Sequence, residues 1–181
     1  MKSMRTTLKV AASALLVLAF FAAPVHACSY SAGEQVFSAW GDHRSYVLAP
    51  DGDFSAGGAG WTLEGGADVV SGALSLPAGS SAVSPSICIS KDTPFLRSMA
   101  RDSGVPGAKL QVEIVYVELD ATRSRIVARD KQEDWDPTQP LGQNFGPATA
   151  DGGDSSVRVR FSALGGDWKV DDFYVDPWAR Y

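Results

Sequence analysis

The chain has 181 residues, of which 45% are hydrophobic, and its 16 basic and 21 acidic residues give a formal net charge of −5. This length is enough for one domain with a substantial core. The acidic excess argues against nucleic acid or an anionic membrane as a partner.

The N-terminus has the pattern of a secretory signal peptide. A basic start is followed by an apolar run over residues 10–23 with no acidic residue, and then by the small-residue exit Val25-His26-Ala27. The apolar run is shorter than the roughly 20 residues that a membrane-spanning helix needs. We therefore expect cleavage after Ala27, an extracellular location and no transmembrane segment.

Cleavage would leave residues 28–181, which we expect to form a single domain. The leader carries three basic residues and no acidic one, so its removal would lower the formal net charge from −5 to about −8.

Cys28 and Cys88 are the two cysteines of the chain. In an oxidising compartment their pairing is the natural interpretation, and a bridge that closes a loop of this length contributes on the order of 4 kcal/mol in the chain-entropy model. The alternative is a lipid anchor on Cys28, which would leave Cys88 as an unpaired thiol.

The rest of the chain has the pattern of short strands and turns that is typical of an all-β sandwich. Short runs rich in Val, Ile, Leu, Phe and Tyr alternate with Gly, Pro, Asp and Ser at intervals of about ten residues. Alternation in 110–116 and 157–161 gives each of these strands one buried and one solvated face, which is typical of antiparallel two-layer sheets. The predicted strands are 44–48, 61–64, 68–70, 73–76, 81–89, 95–101, 109–119, 124–129, 157–161 and 168–175.

The segment from 131 to 154 is predicted to be a long irregular loop. Pro137, Pro140 and Pro147 are expected to exclude regular strand pairing there.

Trp135 lies in this loop and is the best candidate for ligand contact, because a flat exposed ring can stack on the apolar face of a sugar. Plain packing within the loop is the alternative for Trp135. The predicted ligand-binding residues are Trp135, Asp134, Asp136 and Phe145. Trp61 and Trp168 each open a strand and are predicted to be core residues instead.

The usual catalytic groups are scarce. His43 is the one histidine after cleavage, it lies in a polar turn where an exposed bystander is expected, and no nucleophile, zinc or phosphate-binding motif is present. Loop carboxylates are abundant, which leaves a glycosidase or lyase as an alternative function.

Four aspartates lie near the two ends of the predicted sandwich. Asp51 and Asp53 would approach Asp171 and Asp172 if the first and last strands run side by side, and several carboxylate oxygens suit calcium. The alternative is that one aspartate caps a turn while another accepts backbone hydrogen bonds. We expect a structural Ca²⁺ bound by Asp51, Asp53, Asp171 and Asp172, and no other cofactor.

Three short motifs resemble the galactose-binding-like jelly rolls, especially the carbohydrate-binding modules of bacterial glycosidases. These motifs are Asp51-Gly52-Asp53-Phe54-Ser55, Gly60-Trp61 and Val170-Asp171-Asp172-Phe173. The resemblance spans about 48–176 and implies a two-sheet jelly roll, a structural calcium near the terminal strands, and sugar binding on the concave sheet or in rim loops. Ser55 stands where the family often has a calcium-binding glutamate. The chain is also similar to small secreted bacterial proteins of unassigned function.

The favoured function is therefore a secreted, non-enzymatic domain that binds carbohydrate or another cell-envelope component. The alternatives are a structural or protein-interaction module and a carboxylate-based glycosidase or lyase.

Overall fold

The protein is an all-β sandwich of two antiparallel sheets, as the sequence predicts. The computed structural model describes residues 30, 32–89, 95–116, 121–142 and 155–176. One short 3₁₀ turn, Ser38–Trp40, accompanies the strands. The strands in this part of the chain are β1 (Val47–Leu48), β2 (Thr62–Glu64), β3 (Asp68–Val70), β4 (Ala73–Leu76), β5 (Ser81–Val83), β6 (Ile87–Ile89), β7 (Phe95–Asp102), β8 (Lys109–Tyr116), β9 (Ala121–Arg129), β10 (Asp136–Pro137), β11 (Leu141–Gly142), β12 (Ser155–Leu164) and β13 (Trp168–Asp176).

Each sheet is organised around one long strand. In the seven-stranded sheet, β13 lies between β7 on one side and β4 and β1 on the other, β3 pairs with β4, and β10 and β11 pair with β7. In the six-stranded sheet, β12 lies between β8 and the shorter β5 and β6, with β9 and β2 at the edges. No helix among the described residues is both long and apolar enough to cross a bilayer.

The core fills the space between the two sheets. On β8 the alternate residues Leu110, Val112 and Ile114 are buried, which confirms the predicted alternation. The same holds for β12, where Phe161 is fully buried while the arginines beside it face outward. Trp61 and Trp168 are 8% and 1% exposed, so both are core residues as predicted.

The predicted strand 81–89 is broken into β5 and β6, which is a correction to the sequence analysis. Pro85 has no N–H to donate to a ladder. At the break, the Ser84 amide donates to the Val159 carbonyl at 2.8 Å, and the Val159 amide donates to Ser84 Oγ at 2.9 Å. The serine hydroxyl therefore replaces a backbone acceptor, and the chain continues along β12 after the interruption.

The expectation that prolines exclude pairing in 131–154 is wrong for its first half. Pro137 lies in β10, which pairs with β7 in the register Pro137 to Met99. β10 is an edge strand, where a proline can sit with its missing donor turned away from the sheet. Residues 143–154, with Pro147, lie outside the described residues.

The first and last strands meet in the way the sequence predicts, but β2 does not take part. β1 pairs with β13, whereas β2 belongs to the opposite sheet. The turn after β1 continues the contact, since the Ala49 amide donates to the Phe173 carbonyl and the Phe173 amide to the Gly52 carbonyl. A Cβ on Gly52 would collide with the Phe173 carbonyl oxygen, so the close approach requires glycine.

Residues 32–46, here named the N-terminal strap, cover part of the outer face of the seven-stranded sheet, around Phe95, Met99 and Tyr174. Phe37 and Tyr46 of the strap form a small buried cluster with Phe95, and Met99 and Tyr174 pack against it. The Phe37 and Tyr46 rings meet edge to face at 5.1 Å between centroids. This face of the sheet therefore has its own second core.

A buried ion pair fastens the strap to the sheet. Arg97 Nη1 lies 2.7 Å from Asp42 Oδ2, and these side chains are 8% and 5% exposed. Tyr46 Oη donates to the same carboxylate at 2.8 Å, and Arg97 Nε donates to the Thr138 carbonyl at 2.9 Å. Burial alone would raise the pKa of Asp42, but the hydrogen bonds from Tyr46 and Arg44 outweigh it and lower the pKa.

Candidate functional site

Another part of the same outer face holds an open groove, here named the Arg101 groove, with a volume of about 280 Å³. Its floor is set by strand register: Ser75 of β4 is opposite Lys169 of β13, and Lys169 is opposite Arg101 of β7. Because the residues on either side of Lys169 point into the core, these three side chains point outward. The groove is lined by Ser75, Arg101, Asp102, Ser103, Glu133, Asp167, Trp168 and Lys169.

Trp135 lies beside the groove. It directly precedes β10, whose pairing of Asp136 with Ala100 brings the indole next to Arg101. The guanidinium carbon of Arg101 lies 5.1 Å from the centroid of the Trp135 ring system, which is a cation–π distance. Trp135 is half-buried, so packing and an accessible ring surface coexist at this residue.

Two of the groove's carboxylates stabilise the surrounding loops. Asp102 is buried, and its oxygens accept hydrogen bonds from the backbone amides of Gly104 at 2.6 Å and Gln132 at 3.3 Å. Asp167 Oδ1 accepts from the amide of Ala78 at 2.9 Å. The carboxylates of Asp102 and Asp167 therefore accept hydrogen bonds from the backbone and stabilise the loops around the groove.

Three charged side chains of the groove are left for a ligand. Within the described residues, Arg101, Lys169 and Glu133 form no salt bridge and no side-chain hydrogen bond. The groove thus offers two cationic donors and one anionic acceptor that form no hydrogen bond or ion pair within the described residues, while Arg101 also contacts the Trp135 ring.

The other predicted ligand residues have mixed outcomes. Asp134 and Asp136 are exposed on either side of Trp135. Phe145 lies outside the described residues. Arg101 and Lys169 were missed by the sequence analysis, because their meeting depends on the register between two strands that are about 70 residues apart in the chain.

Of the predicted calcium ligands, the first two organise turns. The carboxylate of Asp51 accepts from the backbone amides of Ala56 at 2.9 Å and Ala59 at 2.7 Å, so it holds the glycine-rich loop. Asp53 Oδ1 accepts from the amide and hydroxyl of Ser55 at 3.1 and 2.9 Å. These are the backbone-acceptor roles that the sequence left open as an alternative.

The second two lie where β13 is irregular. Asp172 has φ 49°, in the left-handed region, and the register of β13 against β7 shifts between Asp171 and Tyr174. Burial of the Asp171 carboxylate raises its pKa to about 6, and the charges of Asp172 and Asp53 add to the rise while a hydrogen bond from the Asp172 amide opposes it. The pKa of Asp172 is also raised, by burial and then by Asp53.

The structure thus places Asp53, Asp171 and Asp172 near one another, where the register of β13 begins to shift. Within the described ranges, however, no three or more His, Cys, Asp or Glu side chains are spaced as a set of metal ligands. Calcium at this position stays a prediction.

The raised pKa of Asp171 predicts an unusual pH dependence of stability. The folded-state pKa of about 6 lies above the ordinary value of 3.8, so folding strengthens proton binding at Asp171. We expect the melting temperature of the metal-free protein to rise as the pH falls from 7.5 to 5, and this gain to vanish as the pH increases through 6. Thermal unfolding in a chelator at these two pH values, compared with Asp171→Asn, measures the effect. An equal pH response in both proteins would contradict it.

The cysteine and histidine predictions concern residues away from the groove. Cys88 lies on β6, whereas Cys28 is outside the described residues, so their pairing stays a prediction. His43 is exposed, as predicted, and its carbonyl accepts a hydrogen bond from Gln35 Nε2.

The two facing antiparallel sheets, with β13 central in one and paired with β1, form a two-layer jelly-roll sandwich. The chain is similar to the second family 22 module, a xylan-binding domain, of Paenibacillus barcinonensis Xyn10C, with 12% identity and a TM-score of 0.51 over 70% of this chain and 97% of that one. At this identity the similarity shows the fold alone.

Two further solved structures are similar at slightly lower scores. The C-terminal family 22 module of Clostridium thermocellum Xyn10B has 12% identity and a TM-score of 0.49 over 71% of this chain and 93% of that one. A family 61 module in complex with β-1,4-galactotriose has 17% identity and a TM-score of 0.48 over 71% and 96%. No protein-family profile and no curated protein sequence matches the chain.

Proposed function

We propose that this protein is a secreted, non-enzymatic domain that binds a carbohydrate of the cell envelope or its surroundings in the Arg101 groove. The observation that carries the proposal is the set of unengaged polar side chains in that groove next to the Trp135 ring. Protein sites for sugars combine such donors and acceptors with an aromatic surface. A xylan-binding module with the same fold gives the proposal further support.

The state of the groove's acids favours binding over hydrolysis. Glycoside hydrolysis needs two carboxyl groups free to act on either side of the scissile bond. Asp102 and Asp167 accept hydrogen bonds from backbone amides, which leaves Glu133 as the unengaged acid of the groove. One free carboxylate can accept a hydrogen bond from a sugar hydroxyl, but it does not supply an acid and a base.

Trp135→Ala tests the proposed site. We expect it to weaken glycan binding by about 2 kcal/mol, or roughly thirtyfold in Kd, because truncation of a central aromatic contact has an effect of this size. The mature chain, residues 28–181, is screened on a glycan array and the best glycan is titrated by calorimetry. Trp40→Ala is the matched control, since Trp40 is 48% exposed but belongs to the strap.

Each outcome of this experiment decides a point. If glycan binding weakens equally in both variants, or in neither, the binding surface lies outside the Arg101 groove. Failure of the wild-type domain to bind any glycan would overturn the proposed function in favour of a structural or protein-interaction module.

The calcium prediction has its own test. We propose that Ca²⁺ binds beside Asp53, Asp171 and Asp172, where its charge would offset both the burial of the Asp171 carboxylate and its repulsion by Asp172 and Asp53. Millimolar CaCl₂ is then expected to raise the melting temperature at pH 7.5 over that in a chelator, and less so in Asp171→Asn. An unchanged melting temperature in the wild type would show that calcium has no structural role.

A further inference from the structure

The Arg101 groove contains two positive charges that face each other in an acidic protein. Arg101 and Lys169 are register partners on neighbouring strands, and directly opposed residues of an antiparallel pair lie only about 4.5–5.5 Å apart between Cα atoms. Like charges in this arrangement destabilise a sheet. The chain has more acidic than basic residues, so it contains enough carboxylates to form an ion pair with each of these two cations.

The nearby acids nevertheless do not neutralise this pair. Asp102 and Asp167 direct oxygens at the backbone amides of adjoining loops. Glu133 lines the groove but lies beyond salt-bridge distance of both cations. The groove therefore holds two unneutralised cations and one further acid at its rim.

The guanidinium of Arg101 is held in place by its contact with Trp135. A stacked guanidinium has lost much of its conformational freedom before a ligand arrives, so less entropy is lost on binding. Its planar set of N–H donors matches a carboxylate, which can accept two parallel hydrogen bonds from it. Lys169 supplies a second positive charge on the adjacent strand.

We infer that the saccharide bound in the Arg101 groove is acidic, with the carboxylate of a uronic acid residue seated between Arg101 and Lys169. This inference rests on the proposed function and specifies its ligand class. A neutral sugar of the same linkage would leave both cations facing each other without a counterion. Glu133 then serves as an acceptor for a hydroxyl on the same saccharide.

The test compares two ligands that differ in the carboxylate. An oligogalacturonide and its carboxyl-reduced galactan counterpart are titrated into the mature chain by calorimetry at low and at raised salt. We expect the acidic ligand to bind at least tenfold more tightly at low salt, and this preference to shrink as salt screens the charges.

Variants assign the preference to the groove. Lys169→Met is expected to reduce the ratio of acidic to neutral affinity several-fold, and Arg101→Gln is a second variant in case the first perturbs folding. Lys109→Met is the control, because Lys109 is an exposed cation on the other sheet and a general attraction of polyanions would respond to it as well. Melting temperatures confirm that each variant is folded.

The outcomes separate this inference from the proposed function. Equal binding of the acidic and neutral ligands, or equal loss of preference in Lys169→Met and Lys109→Met, overturns the inference while the carbohydrate-binding function stands. Preference for the neutral ligand overturns it as well. Binding of neither ligand, together with a blank glycan array, overturns the function itself.

Discussion

Replacing Asp42 with alanine is expected to lower the free energy of unfolding by about 3–5 kcal/mol, the range for removing one partner of a buried ion pair. The loss is large because the Arg97 guanidinium, 2.7 Å from Asp42, would remain buried without its counterion. Tyr46 Oη would lose its acceptor at the same time. Urea-induced unfolding followed by fluorescence measures the change.

Two controls isolate the buried charge. Asp134→Ala removes an exposed carboxylate and is expected to change stability by less than about 0.5 kcal/mol. In the double variant Asp42→Ala with Arg97→Met, no charge is stranded, so we expect it to be more stable than Asp42→Ala alone. If Asp42→Ala has the small effect of Asp134→Ala, the strap is not held by this ion pair.

Phe161→Ala is expected to cost about 3–5 kcal/mol, as for other fully buried aromatic residues cut back to alanine. Phe161 of β12 and Phe173 of β13 meet edge to face across the two sheets at 5.1 Å between ring centroids. Trp61 packs on both of these rings and also on Phe54 at 4.9 Å. Truncation would therefore remove a fully buried ring that contacts both Trp61 and Phe173 in a four-ring cluster joining the sheets.

The comparison for Phe161 is a residue on the same strand. Leu164 of β12 is 38% exposed, and Leu164→Ala is expected to change stability far less. Denaturant unfolding with a common m value would show that the two variants differ in stability rather than in the nature of the unfolded state. Similar losses in both variants would contradict the role of the buried Phe161 ring in joining the two sheets.

The fold was predictable because its signals are local. Alternation in β8 and β12 indicates which side chains are buried, and a period of two residues can be read within a single strand. The motif around Gly52 and the Asp171-Asp172 pair correctly indicated that the two ends of the domain meet. The interruption between β5 and β6 was not predicted, because the hydrogen bonds that Ser84 exchanges with Val159 beside Pro85 depend on the alignment with the distant strand β12.

The candidate site was less predictable because its side chains come together only through the alignment of β7 with β13. Trp135 stood out on its own as an aromatic residue among loop acids. Arg101 and Lys169 did not, since each is an ordinary outward-facing residue until β7 and β13 are aligned. Asp42 directly precedes His43 in the segment predicted to be a polar turn, and its burial arises only when the strap packs on Arg97 of a distant strand.

The N-terminal strap has a practical consequence for any attempt to trim the domain. By strand count the sandwich begins at Val47, yet a chain shortened to that point would bare Phe95, Met99 and Tyr174 on an outer surface and leave Arg97 without Asp42. An uncovered apolar patch of this kind promotes self-association. A well-behaved shortened version of this protein therefore has to keep the strap, which lies before the first described strand.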